Sequence, residues 1–161
     1  MERIDQIDAK ILELLQAEGR IKRNEIAEEV GLSLPSVSER MRKLEERGII
    51  TGYHAVVDAK RLQMDITAFI RVMVDRSRYF SEFVERAVEL EEVQEVHSIT
   101  GDGSHIIRVC THNTASLERL LSKIQAWPGV HGTSTSIVLT SFKDTRALSV
   151  EPMQLADEMV G

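Results

Sequence analysis

Apolar residues in the first fifty positions recur at the three- and four-residue spacing of amphipathic helices. The first predicted helix ends at Gly19, and a second, shorter helix ends at Gly31. Lys22 occupies the position where a Ser or Thr would complete a capping box with Glu25, which leaves Asn24 as the alternative cap or a frayed first turn. The apolar stripe of the first helix consists of Ile4, Ile7, Ile11, Leu14 and Leu15.

The third helix has the clearest boundaries. Ser33 is a favourable N-cap, Pro35 is tolerated in the first turn, and Gly48 follows the last helical residue at about Arg47. The predicted inward stripe of this helix is Val37, Met41 and Leu44. Three short helices, with a tight turn in "VGLS" before a capped third helix, predict a helix-turn-helix. The segment "GIITGYHAVVD" that follows indicates a short strand pair or wing.

From Thr67 the apolar spacing changes to two, the period of a half-buried strand. The inward positions of this strand are Ala68, Ile70, Val72 and Val74. A helix over residues 80–88 follows, then the strands "VQEVHSIT" and "SHIIRVCT", a helix that ends at Pro128-Gly129, and the strand "TSTSIVLTSF". The order β-α-β-β-α-β predicts a ferredoxin-like sandwich.

The chain is therefore expected to be an α+β protein, with a winged helix-turn-helix in front of a ferredoxin-like βαββαβ domain. The expected boundaries are 1–52 for the helix-turn-helix domain, 53–65 for a linker or wing strand, 66–143 for the ferredoxin-like domain and 144–161 for a C-terminal tail. A short helix is expected in this tail, around Met153 to Met159.

Overall charge argues against a protein that coats nucleic acid, because the formal net charge is −6 at pH 7. A small basic face on an acidic molecule remains compatible with that value. The single cysteine, Cys110, lies in an apolar run and is expected to be a buried thiol, which fits a reducing, cytoplasmic location. No apolar run approaches the roughly 18 residues of a membrane span, so no membrane association is expected.

Such a basic face is predicted on the third helix. At about 100° per residue, burial of the inward stripe turns polar side chains outward. Residues 36–43 contain three basic and one acidic side chain, a formal charge of +2. The alternative is an ordinary solvated helix face, but the capped helix and the three-helix context together favour DNA binding. The residues predicted to contact double-stranded DNA are Pro35, Ser36, Ser38, Glu39, Arg40, Arg42 and Lys43, with Arg20, Lys22 and Arg23 as backbone contacts.

The motif "GDG" predicts a hairpin turn more readily than a catalytic loop. Asp102 and Gly103 suit a two-residue type I′ turn, which would pair Thr100 with His105 and place His97 opposite Arg108. His97 and His105 then do not form a metal pair, and no histidine or cysteine spacing indicates zinc. "GDGS" does not fit a phosphate-binding loop, and Asp102 has no partner base at a recognisable spacing. No catalytic residue, metal or cofactor is therefore predicted.

The head closely resembles the N-terminal domain of the Lrp/AsnC (feast/famine) transcriptional regulators, and "TGDG" and "WPGVHGTSTSIVL" resemble that family's effector-binding domain. The resemblance covers roughly residues 2–143. The matching head residues are Asp5, Asp8, Ile11, Leu12, Arg20, Ala27, Gly31, Leu32, Ser33, Val37, Arg40, Leu44, Gly48, Ile50 and Tyr53.

This resemblance implies homodimers that pair through their sheets and assemble further, often to octamers, and a small effector that is commonly an amino acid. It places the effector near the turn between the second and third strands of the ferredoxin-like domain. Gly103, Ser104 and His105 stand where the family often has aromatic and acidic residues, and Gln63 replaces a common glycine. The implied effector set is Thr100, Gly101, Asp102, Gly103, Ser104, His105, Thr133, Ser134 and Thr135, although a polar outer face or a pairing surface explains the hydroxyl-rich strand equally well.

Two rival functions follow from the same architecture. Relatives include tetrapyrrole (sirohaem) decarboxylases, for which the groove here offers mainly His105 and Arg108. A partner subunit that binds effector but has no operator of its own is the second rival, and the intact third helix argues against it. An effector-responsive, sequence-specific DNA-binding regulator is the favoured interpretation.

Overall fold

The computed structural model describes residues 3–154, which divide into two units. Residues 3–56 and 144–154 form the first unit, called the head below, and Val57–Lys143 form the second, called the sheet unit. The predicted tail at 144–161 is therefore not a separate segment, because its described part belongs to the head. No helix within residues 3–154 combines the length and apolar character needed to cross a membrane.

Three helices build the head: α1 over Gln6–Ala17, α2 over Arg23–Val30 and α3 over Leu34–Glu46. A short strand, β1, precedes them at Arg3–Ile4. The predicted inward stripe of α3 is confirmed, since Val37, Met41 and Leu44 are all at most 4% exposed. They pack with Ile11 and Ile26 in one aliphatic core.

Side-chain caps fix the starts of α1 and α3. The Asp5 carboxylate accepts a hydrogen bond of 2.8 Å from the Asp8 amide, and Ser33 Oγ accepts one of 3.4 Å from the Ser36 amide. Lys22 is the N-cap of α2, and its amide donates to the Glu25 carboxylate at 3.3 Å. The alternative cap at Asn24 is wrong, because Asn24 already lies within the first turn of this helix.

The segment after α3 does not form the expected strand pair. Residues 51–58 contain no strand, and Tyr53 instead donates a hydrogen bond of 2.8 Å to the Glu45 carboxylate of α3. Its side chain and those of Val56 and Val57 remain substantially exposed, because no second strand lies beside them within residues 3–154.

The two-stranded pairing of the head joins the two ends of the described chain. Strand β6 at Met153–Gln154 pairs antiparallel with β1, so that Ile4 lies opposite Met153. The short helix expected around Met153 to Met159 is therefore wrong at its first two residues, and residues 155–159 lie outside the described part of the chain.

The segment that leads to β6 is bound to α1. The side-chain amide of Gln16 donates to the Leu148 carbonyl at 3.0 Å and accepts from the Leu148 amide at 2.7 Å. Val150 packs against the core of the head. These long-range contacts hold the C-terminal segment on the head.

The sheet unit has the predicted ferredoxin-like order of elements. Its strands are β2 (Ile66–Val74), β3 (Val93–Ser98), β4 (His105–Thr111) and β5 (Val130–Ile137), and its helices are α4 (Phe80–Val88) and α5 (Thr114–Gln125). The antiparallel sheet has the spatial order β3-β4-β2-β5. β5 begins three residues earlier and ends five residues earlier than "TSTSIVLTSF" suggested, because its pairing with β2 stops at Ile137.

One face of this sheet is covered by α4 and α5. The four alternating positions of β2, Ala68 to Val74, are at most 6% exposed, as the two-residue period predicted. Phe83 and Ile124 from the two helices belong to the same core. Cys110 is 3% exposed, which confirms the prediction of a buried thiol.

Candidate nucleic-acid interface and effector loop

The outward face of α3 presents most of the residues predicted to contact DNA. Pro35, Ser36, Glu39, Arg42 and Lys43 are exposed, and Ser38 is half-buried. Ser33 and Pro35 start the helix, and the buried stripe on the opposite side fixes its rotation about its own axis. Small hydroxyl side chains and long cations therefore share one accessible surface.

Carboxylates on the same helix pair with the cations of this surface. Arg42 donates to Glu39 through Nη2 at 2.7 Å and through Nε at 2.9 Å, and it also contacts Glu46. Lys43 Nζ lies 3.6 Å from Glu39. Hydrogen bonds from Arg42 hold the pKa of Glu39 below its ordinary value, so Glu39 is a carboxylate near neutral pH. Binding of a phosphate to Arg42 would thus exchange one anionic partner for another.

Arg40 has a different position from its neighbours. Its Nη1 donates to Asp5 at 2.8 Å and to Asp8 at 2.7 Å, and it is only half-exposed. Burial by itself would raise the pKa of Asp5, but the Asp8 amide and the Arg40 guanidinium lower it below the usual value. Arg40 therefore joins α3 to the start of α1, which is a structural role for a residue that the sequence placed among the DNA contacts.

The three basic residues predicted to contact the DNA backbone lie around the start of α2. Arg20, Lys22 and Arg23 are all exposed, and Lys22 Nζ lies 4.0 Å from Glu25. Their side chains are available to a large anionic partner of the head.

The loop between β3 and β4 is longer than predicted. Ser98 pairs with His105, so the connection spans residues 99–104 and not two residues. Thr100 does not pair with His105, and His97 lies opposite Ile106. The type I′ turn is also wrong, because Gly101 and Gly103 have positive φ and Asp102 does not.

Hydrogen bonds from Ser104 to β2 explain why the pairing of β3 with β4 ends at Ser98 and His105. Its amide donates to the Val72 carbonyl at 3.0 Å, and its hydroxyl donates to the same carbonyl at 3.2 Å and accepts from the Val74 amide at 3.1 Å. A Cβ on Gly103 would lie 3.3 Å from that carbonyl. The end of the loop therefore follows the backbone of β2, a contact that no local turn rule contains.

His105 is 1% exposed and belongs to the core. Its ring lies 4.9 Å from that of Phe80 and 4.7 Å from that of Phe83, both on α4. Nδ1 lies 2.8 Å from Ser104 Oγ, whereas Nε2 has no hydrogen-bond partner among residues 3–154. Burial lowers the pKa of His105. Of the predicted effector residues, this one faces the helices and not solvent.

The register of β5 separates its hydroxyl groups between the two faces of the sheet. Thr133 lies opposite Val72 and accepts a hydrogen bond of 2.8 Å from Gln125 of α5. Ser134 lies opposite Arg71 and is exposed on the other face. Because Val72 also pairs with His105, Thr133 and the loop flank the same end of β2, about 10 Å apart across two strand spacings. Of the three predicted effector residues on β5, the structure thus brings Thr133 to the same end of the sheet as the loop.

The two side chains that the groove was expected to offer a tetrapyrrole do not converge. His105 lies on the helix-covered face, whereas Arg108 pairs with Phe69 on the other face and donates to Gln94 at 2.7 Å. No cluster of three or more potential metal ligands occurs within residues 3–154.

We predict that Gly103→Ala destabilises the sheet unit by about 1–2 kcal/mol more than Gly101→Ala. Both residues have positive φ, but only a Cβ at position 103 crowds the Val72 carbonyl. Urea unfolding followed by fluorescence of Trp127, the single tryptophan, measures the difference. Equal losses of stability in the two variants would contradict the proposed contact.

We also predict that the sheet unit loses stability as the pH falls below about 6.5, the ordinary pKa of histidine. Because the folded pKa of His105 is depressed, its stabilising contribution is complete above the unfolded pKa and is lost as the pH falls through the folded pKa. His105→Gln should weaken this dependence in Trp127 fluorescence melts. His97→Gln is the control, because His97 is exposed, and a similar effect from it would contradict the assignment to His105.

Comparisons with known proteins agree with this two-part structure. Residues 4–51 match the model of a winged helix-turn-helix DNA-binding family, and residues 67–148 match the Lrp/AsnC ligand binding domain. The HTH-type transcriptional regulator FL11 of Pyrococcus horikoshii is 36% identical over 148 residues, which cover 92% of this chain and 97% of that protein. The leucine-responsive regulatory protein of Escherichia coli is 32% identical over 151 residues, 92% of each chain.

Solved structures are similar over nearly the same length. Escherichia coli AsnC has a TM-score of 0.84 and 30% identity, and the match covers 91% of this chain and 99% of AsnC. A feast or famine regulatory protein of M. tuberculosis, complexed with L-methionine, has a TM-score of 0.85 and 29% identity with the same coverage. On its sequence and its fold, this chain belongs to the Lrp/AsnC family of transcriptional regulators.

Proposed function

We propose that this protein is a sequence-specific DNA-binding regulator whose DNA affinity or assembly responds to a small effector of the amino-acid class. The observation that carries the proposal is the outward face of α3, where exposed Ser36 lies with Arg42 and Lys43 on a capped, firmly packed helix. The family membership supports it, since the matched relatives are named as a transcriptional regulator and a leucine-responsive regulatory protein.

In this proposal α3 enters the major groove of double-stranded DNA. Ser36 and Ser38 are short enough to let the helix approach base edges, and their hydroxyls can donate or accept hydrogen bonds there. Arg42 and Lys43 would bind phosphates and release Glu39 as they do so. Contacts from Arg20, Lys22 and Arg23 would add affinity without sequence discrimination.

The effector is proposed to bind at the end of the sheet formed by residues 99–104 and Thr133. Amino-acid chemistry is supported by two structural neighbours whose solved forms are complexes with L-methionine. The exposed groups on the loop are the Thr100 hydroxyl and the Asp102 carboxylate, which could bind an ammonium group. Ser104 and His105 would shape the site from within, because both are already hydrogen-bonded to protein groups.

Homodimers that pair through the sheet, and assemble further to an octamer, are part of the proposal. The face of the sheet opposite α4 and α5 carries Phe69, which is 39% exposed, together with half-buried Met73 and Ile106. A partner on this face would bury apolar area that is partly open to solvent in a single chain. Two heads in a dimer would read half-sites spaced by about one helical turn of DNA or a multiple of it.

Replacing Arg42 and Lys43 with Ala should weaken binding and reduce the slope of log Kd against log salt by about one to two, because each lost phosphate contact contributes about 0.9. A duplex enriched from a random library by the intact protein, labelled for fluorescence anisotropy, measures this slope. Arg86→Ala is the matched control, since Arg86 makes a similar intrahelical pair with Glu82, but on α4. An unchanged slope would exclude this face, and failure to enrich any duplex would favour a partner subunit without its own operator.

A thermal-shift screen of the twenty amino acids tests the effector class. A ligand present at about 100 times its Kd adds roughly 2.7 kcal/mol to the free energy of unfolding, which is readily detected. We expect at least one amino acid to raise the melting temperature, and Asp102→Asn to reduce that shift. A flat screen at millimolar concentrations would contradict the amino-acid assignment.

A further inference from the structure

Beside α3, the head has a cleft to which the start of the described chain contributes. It is lined by Arg3 of β1, by Ser36, Glu39 and Lys43 of α3, and by Arg47 directly after that helix. We propose that this cleft binds a phosphate of the DNA backbone through Arg3, and that β6 is the element that positions Arg3. The inference rests on the proposed function and extends it to Arg3, a residue outside the helix-turn-helix motif.

The charges of the cleft favour an anion. Arg40 and Asp8 also line it, so four basic and two acidic side chains give a local surplus of +2 in a chain whose formal net charge is −6. Asp5, which binds Arg40 without lining the cleft, lowers this surplus by one. A positive concave surface on an acidic protein attracts phosphate locally where the net charge does not.

Arg3 differs from the other cations of the cleft in its surroundings. Arg40 binds Asp5 and Asp8, and Lys43 lies near Glu39. Arg3 is exposed, and no ion pair or hydrogen bond of its side chain occurs among residues 3–154. A phosphate at Arg3 would therefore displace no carboxylate, in contrast to one at Arg42. The same cleft contains Ser36, so the phosphate would lie next to a residue proposed to approach base edges.

The C-terminal strand holds Arg3 in this position. Arg3 lies opposite Gln154 and Ile4 opposite Met153 in the two-stranded pairing, and Ile4 is 5% exposed. Pro152 lines a second depression together with Arg3. Without β6 the two residues of β1 would lose their only strand partner in the described chain, and ordering Arg3 on DNA would cost more conformational entropy.

We therefore expect loss of Arg3 and loss of β6 to weaken DNA binding to the same extent, without adding to each other. Arg3→Ala should reduce the slope of log Kd against log salt by about one and weaken binding roughly three- to tenfold at moderate salt. A backbone contact carries no sequence information, so the loss should be equal on the enriched duplex and on a scrambled duplex of the same length. Arg3→Lys should retain the slope, because it keeps the charge.

Two truncations test the role of β6. The chain 1–151 lacks β6, whereas the matched chain 1–154 keeps it. We expect 1–151 to show the loss seen for Arg3→Ala, 1–154 to bind like the intact protein, and Arg3→Ala to have no further effect in 1–151. Met153→Pro in the full chain is the second test of the pairing, since proline disrupts strand pairing. Far-ultraviolet circular dichroism and thermal melts establish that each variant retains the folded head.

Lys10→Ala controls for simple loss of charge, because Lys10 is an exposed cation of α1 that does not line the cleft. The inference is overturned if the intact protein binds DNA but Arg3→Ala has the slope of Lys10→Ala, or if the effects of Arg3→Ala and 1–151 add. An intact protein that binds neither duplex overturns the proposed function as well. Loss of inorganic phosphate binding in Arg3→Ala, with unchanged DNA binding, would assign the cleft to a free anion and overturn the DNA contact.

Discussion

The head depends on the ion pair that Arg40 makes with Asp5 and Asp8. Asp8 is 7% exposed, so removal of the guanidinium would leave a nearly buried carboxylate unpaired, at a cost of about 1–3 kcal/mol or more. The pair connects the middle of α3 to the cap of α1, and Asp5 directly follows β1. It therefore helps to hold two elements in place: α3, the helix proposed to bind DNA, and β1, the strand that carries Arg3.

The sheet unit depends in a similar way on the backbone of β2. Val72 pairs with His105 on one side and with Thr133 on the other, and its carbonyl also accepts both hydrogen bonds from Ser104. A ligand that moves the loop would act on a residue already bonded to the central strand. That is the physical basis on which an effector at residues 99–104 could change how the sheet pairs with a second copy, if it binds the two arrangements with different affinity.

Much of the fold could be predicted because burial imposes a period on the sequence. The inward stripe of α3 and the alternation of β2 were both identified, because the spacing of apolar residues along the sequence shows which face of a helix or strand is buried. The outward-facing residues of α3 followed directly from that stripe. The loop after Ser98 could not be predicted, because Ser104 bonds to a strand some thirty residues earlier. The ion pairs of Arg40 could not be predicted for the same reason: its carboxylate partners lie more than thirty residues away.

By itself the sequence determined the three-helix head, the βαββαβ order and the family, because helical and strand periods, caps and motif residues are local properties. Only the tertiary structure decided which polar side chains are bonded or buried within the protein and which are exposed to solvent. It placed His105 in the core, separated Thr133 from Ser134, and brought β6 onto β1. Contacts between residues far apart in the chain depend on three-dimensional packing, which leaves no periodic signal in the neighbouring sequence.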